Sequence, residues 1–482
     1  MKKFILIFAL ILSALTVSLG LSVAAKAETT VRIASDNSYA PFEFQDSNKQ
    51  WSGIDVDIMK EVAKINHWKL EMSYPGFDAA LNTVQSGGAD GIIAGMSITD
   101  ARKQVFDFSE PYYSSSVTIA TTKQNNYTNF SQLKGKVIGV KNGTTSQTWL
   151  QDNASKYGFT VKTYSNGSDM YAALASGSIV GAMDDEPVIQ YAIKQGQNLA
   201  INMPSIPAGN YGFAVKKGTN KALITGFNTA INQMKTDGDY DKIIKKYTSA
   251  SSANATKDTS ENSVWGILKN NWGQLMSGLA VTLELAIVSF FFAVIVGIIF
   301  GLFSISPNKI LRGVARVYID VNRSIPLLIL IFFLFFGIPN LMQMLTGQQW
   351  PMNEFLAGVI ALTLNESSYI AEIVRGGVNA VPNGQMEASR SLGVPYVTTL
   401  RKVILPQATK IAAPGLINQF IITLKDTTLV STIGLIELLQ AGQIIVARNF
   451  QAFRVYGILL IFYMVVLLLL MWIGRRVEKR LK

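Results

Sequence analysis

The feature that most limits what this chain can fold into is the crowding of long apolar runs into its second half. They fall at residues 275–303, 314–337, 355–374, 411–424 and 455–473. Most approach the roughly 20 residues that a helix needs to cross a bilayer's hydrocarbon. In lipid every backbone polar group must be paired within the protein, so such runs are expected as helices. The fourth run is short and interrupted by Pro414 and Gly415, which leaves its limits the least defined. Composition agrees, since 49% hydrophobic residues and a mean hydropathy of +0.26 over 482 residues are high for a soluble chain.

The first half is of another kind. Residues 29–248 alternate β-like runs, such as Val31-Arg32-Ile33-Ala34 and Val137-Ile138-Gly139-Val140, with helical periodicity at 55–65 and 78–86. This predicts an α/β fold long enough for two lobes. A small, polar, aperiodic stretch over residues 249–263 reads as a flexible tether to the membrane part, 264–482. At the start, Lys2 and Lys3 precede an apolar run over 4–23 and then Ala25-Lys26-Ala27. Residues 1–27 therefore read as an export signal peptide, with an uncleaved anchor helix as the alternative.

Charge gives the orientation. From Ser263 onward there are 18 Lys and Arg against 9 Asp and Glu, and before it 25 against 23, so the net charge of +11 belongs mainly to the apolar half. Such an excess is retained on the cytoplasmic side. With the first half outside, the loops carrying Lys309, Arg312 and Arg316, then residues 375–410, then the tail 475–482, all fall inside. Only Arg448 and Arg454 oppose this. No basic helix or aromatic platform suggests nucleic acid. There is no cysteine, and His67 is the only histidine, so thiol chemistry, disulfides and a clustered metal site are not expected.

The large inner loop carries Gly384-Gln385-Met386-Glu387-Ala388-Ser389-Arg390-Ser391-Leu392-Gly393, then Val403-Ile404-Leu405-Pro406. It resembles the EAA coupling loop of ABC importer permeases, with Ser389 for the usual Ala and Val403 for the usual Ile. The resemblance implies that the loop 384–406 docks on a separate ATPase through Glu387, Ala388, Gly393, Leu405 and Pro406. No Gly-x-x-x-x-Gly-Lys-Ser/Thr loop occurs, so ATP and Mg are expected on that partner, and no cofactor in this chain. Residues 369–378 look like the polar-amino-acid branch. Five spans per chain imply a homodimer. Glu284 and Glu366, carboxylates within predicted spans, are candidates for the membrane pathway, contacts to a dimer mate being the alternative.

Residues 31–247 resemble the periplasmic polar-amino-acid binding proteins, glutamine-binding ones above all. The matching blocks are Asp36-x-x-Tyr39-x-Pro41-Phe42-Glu43-Phe44, Gly53-Ile54-Asp55-Val56-Asp57, Gly95-Met96-Ser97-Ile98-Thr99-x-x-Arg102, residues 106–113 and Asp184-Asp185-Glu186-Pro187. The implied fold is an α/β bilobal, type II binding-protein-like domain, followed by an all-α transmembrane domain of five helices of type I importer kind. The lobes would be 28–115 with 210–248, and 116–209, hinged near 114–117 and 210–213. The resemblance places Arg102 and Ser97 on the ligand α-carboxylate, and Asp185 with the Gly95 carbonyl on its α-ammonium. Tyr39 and Phe77 would sandwich its aliphatic part. Asp36 and Lys141 would face the distal group, an acceptor and a donor that together suit a carboxamide, so glutamine or asparagine is expected over glutamate, arginine or histidine. Thr145 departs from the Gly common in glutamine binders. Asp184 stands ready to help with the ammonium or the distal amide. Each residue alone reads equally well as turn chemistry or core.

Three rivals fit less well. A ligand-gated channel would place its pore within the binding domain and carry a selectivity filter. A bilobal enzyme would not need the membrane part, and a receptor would need a signalling module after the last span. The fusion suits the plasma membrane of a single-membrane, Gram-positive type of cell, where tethering keeps the receptor close.

Overall fold

The computed structural model describes residues 29–46, 48–248, 263–347, 352–449 and 451–481. The expected signal peptide and most of the expected tether lie outside the described residues.

Two sheets organise the first half. One orders Trp68–Ser73, Thr29–Ala34, Gly91–Ile92, Ala214–Lys216 and Phe106–Phe108. The other orders Leu199–Ile201, Tyr113–Thr122, Gly181–Asp185, Val137–Lys141 and Thr160–Tyr164, with Ile206–Tyr211 also on Tyr113–Thr122. Strand Thr29–Ala34 pairs in parallel with both neighbours and buries Val31 and Ile33, as parallel strands covered on both faces do. Helix Ile54–Ile65 covers that sheet with Ile54, Ile58, Met59 and Val62, which recur at helical spacing and are fully buried.

Two strands carry the chain between the lobes. Tyr113–Thr122 leads out and Ile206–Tyr211 leads back, antiparallel, with Tyr113 opposite Tyr211 and Ser114 opposite Asn210. The return strand is bulged between Pro207 and Gly209.

The second half is helical. Helix Val264–Ser304 starts at Ser263, whose Oγ accepts from the Gly266 amide at 3.0 Å. Its outer face leaves Ile287, Phe291, Phe292, Ile295, Ile298 and Ile299 exposed, an apolar surface suited to lipid. Its inner face carries Gly297 and Gly301, one turn apart, against Ile370 and Val374 of helix Glu354–Asn379. Small residues at this spacing let two membrane helices approach closely.

Among the described residues, three helices are long and apolar enough to cross a membrane: Val264–Ser304, Leu327–Thr346 and Ala452–Val477. A fourth span arises if the bent pair Tyr396–Ile433 and Leu438–Asn449 crosses as one. The expected count of five is therefore not reached on length and apolarity. Helix Glu354–Asn379, which covers the expected third run, is not among those spans, and it carries Asn365, Glu366, Ser367 and Ser368, all buried, in its middle. Two limits also shift. The run over 314–337 breaks at Ile325-Pro326, because the residue before a proline is driven from helical to extended backbone, and Ile325 has ψ 122°. Pro414, by contrast, does not end its segment: helix Leu405–Asp426 runs through it.

The bend at 434–437 has a chemical cause. Gly434 takes φ +96°, and the buried Glu437 carboxylate caps the next helix, accepting from the Leu439 and Gln440 amides at 3.0 and 2.8 Å. Arg448, one of the two charges that oppose the inside-positive pattern, donates to Asn271 Oδ1 at 2.5 Å.

The halves touch. Tyr456 of the last helix donates to Asp169 at 2.6 Å, Gln274 donates to Gln45 at 3.3 Å, and Pro75 packs on Gly434. Replacing Gly297 by Leu should force its helix off Ile370, whose Cγ2 lies 2.5 Å from where even a Cβ would sit. The expected cost is about 1–3 kcal/mol, seen as a lower thermal midpoint of the purified chain than that of a Gly273→Leu control, where nothing lies within 4 Å.

Candidate functional site

The expected ligand residues gather between the lobes. Asp36 leaves the end of strand Thr29–Ala34 in one lobe and Lys141 ends strand Val137–Lys141 in the other. Both are buried, and the Lys141 ammonium pairs with Asp36 Oδ2 across the cleft. The same ammonium stands 5.5 Å from the ring centroids of both Tyr39 and Phe77. The donor and acceptor expected to face a distal group thus engage each other, inside the aromatic sandwich expected for an aliphatic stem.

Arg102 lies within the short helix Asp100–Lys103, capped by Thr99, and is held over the Phe77 ring at 5.4 Å. Its Nη1 donates to the Ser97 carbonyl at 2.8 Å and its Nη2 crosses to the Gly143 carbonyl of the other lobe at 3.0 Å. Burial pulls its pKa down to about 10, which leaves it cationic at neutral pH. Asn142 donates to Asp78 at 2.8 Å, so three polar contacts cross the cleft here. Thr145 opens helix Thr145–Tyr157 beside Thr144, which caps it, and with Arg102, Thr99 and Trp149 it lines a cleft of about 460 Å³. Tyr39, Phe77 and Asp185 do not line that cleft.

The acidic end is built from strand Gly181–Asp185. Asp184 accepts from the Tyr171 hydroxyl and the Asp185 amide, each at 2.9 Å. Burial pushes its carboxyl up to about 6 and that of Asp185 up to about 7. Tyr211 of the return strand faces the Asp185 carboxyl, and Asp185 Oδ1 is buried and receives no hydrogen bond among the described residues. Ser97 sits in a bridge with that same Tyr211. Gly95 turns with φ +52° against Tyr39, where a Cβ would meet Cε1 at 2.4 Å, so only glycine fits.

Sequence reasoning did not single out Asp78, Asn142, Tyr171 or Tyr211 as site residues. The turn Lys141-Asn142-Gly143 offered a signal for Asn142, but its partner Asp78 is distant in sequence and nothing there announces the pairing.

At the other end of the molecule, Glu387 and Ala388 project from helix Asn383–Ser391, both exposed, and Gly393 takes φ +80° to end it. Ser389 faces inward and hydrogen-bonds Thr399 at 2.9 Å. Leu392 is 84% and Val397 71% exposed, an apolar edge on a polar loop. Leu405 is half-buried and Pro406 exposed at the start of the next long helix.

Comparison with known proteins agrees with this division. Residues 31–250 match the bacterial extracellular solute-binding proteins, family 3, and residues 293–482 match the binding-protein-dependent transport system inner membrane component. The chain is 35% identical over 208 residues to the arginine transport system permease protein ArtQ of Bacillus subtilis, covering 43% of this chain and 92% of that one. The same identity over the same length, covering 43% and 93%, holds for the glutamine transport system permease protein GlnP of Escherichia coli. This chain belongs to the ABC importer family, with binding protein and permease fused. A crystal structure of substrate-binding domain 2 of Lactococcus lactis GlnP is 53% identical, covering 46% of this chain and 97% of that one, at a TM-score of 0.37.

Within the importer's membrane half, the two glutamates part company. Glu366 is fully buried and accepts from Gln419 at 2.6 Å, Thr423 at 3.0 Å and Asn365 at 3.1 Å. Glu284 lies exposed on the long first helix. The structure therefore does not bring them to one place.

Lys141→Met should destabilise the importer's binding domain by about 3–5 kcal/mol, because it leaves Asp36 buried without its countercharge, the Asn37 amide remaining on Oδ1 at 2.7 Å. The double variant Asp36→Leu, Lys141→Met should recover most of that loss in a thermal unfolding cycle.

Proposed function

We propose that this chain is the receptor and permease subunit of an ATP-driven importer of polar amino acids, with glutamine as the preferred cargo and asparagine next. The observation that carries this is the set of charged side chains at the junction of the two lobes, where Arg102 reaches the Gly143 carbonyl and Lys141 pairs with Asp36. Arg102 offers a planar, desolvated cation for an α-carboxylate, with the Ser97 and Thr145 segments beside it. Asp185 offers a buried oxygen lacking a donor for an α-ammonium, near the Gly95 turn.

The distal group then meets Asp36 and Lys141 together. A carboxamide can donate to the first and accept from the second without changing the net charge of the pair. An arginine side chain would have to displace Lys141 from Asp36 and leave one cation unpaired, and a glutamate would do the converse. The relatives named for glutamine and for arginine bracket the same choice.

In this reading helix Glu354–Asn379 is the fifth span, kept apolar enough by its burial among the others. Two copies of the membrane half enclose the pathway, and a pair of ATPase subunits, carrying ATP and Mg, grips the Glu387–Ala388 helix, Gly393 turn and Leu405-Pro406 from the cytoplasm. The binding domain lies outside a plasma membrane, as in a Gram-positive cell. Glu366 lines or braces the pathway, and Glu284 faces lipid or the second copy.

Titration of the purified full-length chain with the twenty amino acids tests the assignment. Arg102→Ala should weaken amino-acid binding by about a hundredfold or more, as loss of a buried bidentate ion pair does. Glu387→Arg should leave binding unchanged while uptake into proteoliposomes collapses. A wild-type chain that binds no free amino acid, or a Glu387→Arg chain that transports normally, refutes the corresponding half.

Protonation provides a separate test. Asp185, raised to about 7, is largely protonated at pH 6. An α-ammonium favours the charged carboxylate and draws its pKa back toward the ordinary value of about 4. Binding should therefore release protons between about pH 4 and 7, measured by calorimetry in buffers of different ionisation enthalpy. Asp185→Asn should reduce that release.

A further inference from the structure

Beneath the Tyr39 wall lies a second pair of acids that makes no contact across the cleft. Glu43 and Asp55 are both fully buried. Asp55 comes from the first turn of helix Ile54–Ile65, and its Oδ2 accepts from the Gly95 amide at 2.7 Å and from the Tyr112 hydroxyl at 2.8 Å. Glu43 sits in the turn after Pro41, where the Tyr39 amide donates to its carbonyl at 3.0 Å and its own amide donates to the Tyr39 carbonyl at 3.2 Å. Each acid is thus fastened to one of the two segments that meet at the site, Tyr39 and Gly95.

The two carboxyls are within hydrogen-bonding reach of each other. Both Glu43 oxygens and Asp55 Oδ1 are buried, yet none receives an N–H or O–H donor among the described residues. Buried polar atoms are nearly always paired, and adjacent carboxylates in an apolar surrounding cannot both stay ionised. One proton held between them supplies the missing donor and removes the repulsion.

We propose that Glu43 and Asp55 share a single proton as an acid–carboxylate pair, and that this pair is a positioning element that fixes the Tyr39 turn to the Gly95 turn. The role rests on the amino-acid-binding reading above. It follows the order of contacts: Glu43 backbone to Tyr39, Glu43 side chain to Asp55, Asp55 side chain to the Gly95 amide. The Gly95 carbonyl and the Tyr39 ring then keep one spacing for whatever ligand enters.

The surroundings favour the shared proton. Asp36 adds a further negative charge against Glu43, while the Lys141 ammonium that opposes it is already paired with Asp36. Tyr112 faces both acids, Tyr74 faces Glu43, and Tyr113 and Tyr240 face Asp55, so the titratable groups nearby are otherwise neutral phenols. Burial holds the Glu43 carboxyl well above the ordinary carboxylate range and Asp55 up to about 7.

Glu43→Gln separates the proton from the shape, because the amide still donates to Asp55 but cannot ionise. In purified full-length chain near neutrality, the infrared difference between wild type and Glu43→Gln should show loss of a neutral carboxylic-acid carbonyl band. Glu43→Gln should bind amino acid within about threefold of wild type, whereas Glu43→Leu, which leaves Asp55 without that donor, should bind about tenfold or more weakly. Loss of an ionised-carboxylate band instead overturns the shared proton, and this readout stands even if the Leu variant fails to fold. Equal affinity of wild type, Gln and Leu variants overturns the positioning role. A wild-type chain that binds no amino acid removes the binding reading and the positioning role together, while the spectrum still decides the proton.

Discussion

A lysine ammonium lodged between two aromatic faces and a buried aspartate is the contact on which the arrangement of the cleft turns. Lys141 and Asp36 come from different lobes, so their attraction acts on the angle between the lobes rather than on either lobe alone. Taking both charges out of water offsets much of the Coulomb gain. The pair therefore contributes direction more than stability. A group that separates the two must satisfy both members, because each is buried. Arg102 reaches across the same junction to the Gly143 carbonyl at 3.0 Å, so a second cation also ties the two lobes.

The membrane half follows a different rule, in which a buried carboxylate needs a full set of donors because lipid supplies none. Glu366 meets it with Gln419, Thr423 and Asn365, and Glu437 with two backbone amides and the Tyr463 hydroxyl. The first binds helix Glu354–Asn379 to helix Leu405–Asp426. The second stabilises a break. The same side-chain type thus serves once as a bridge between helices and once as a cap.

Much of this was legible in the sequence where a local pattern decides the outcome. The strands at 31–34 and 137–140, the helices at 55–65 and 78–86 and the Gly393 exit all rest on periodicity or on a single backbone requirement. Pairings between distant residues were not legible. Asp36 and Lys141 are 105 positions apart, and the resemblance placed both at one ligand group without showing that they pair with each other. The break at Pro326 was hidden because apolarity continues across it, and Glu437 gained meaning only once the bend at Gly434 was known. Gln419 and Thr423, one turn apart on one helix, were likewise not read as partners of Glu366, which lies on another helix.

The contacts between the halves have a mechanical consequence. The membrane domain holds one lobe at Gln45 and Pro75 and the other at Asp169. A jaw gripped on both its arms cannot swing without letting go of one. Seen from the lipid, the binding domain is therefore measured as a caliper measures width: its fit on the platform reports the gap between the arms.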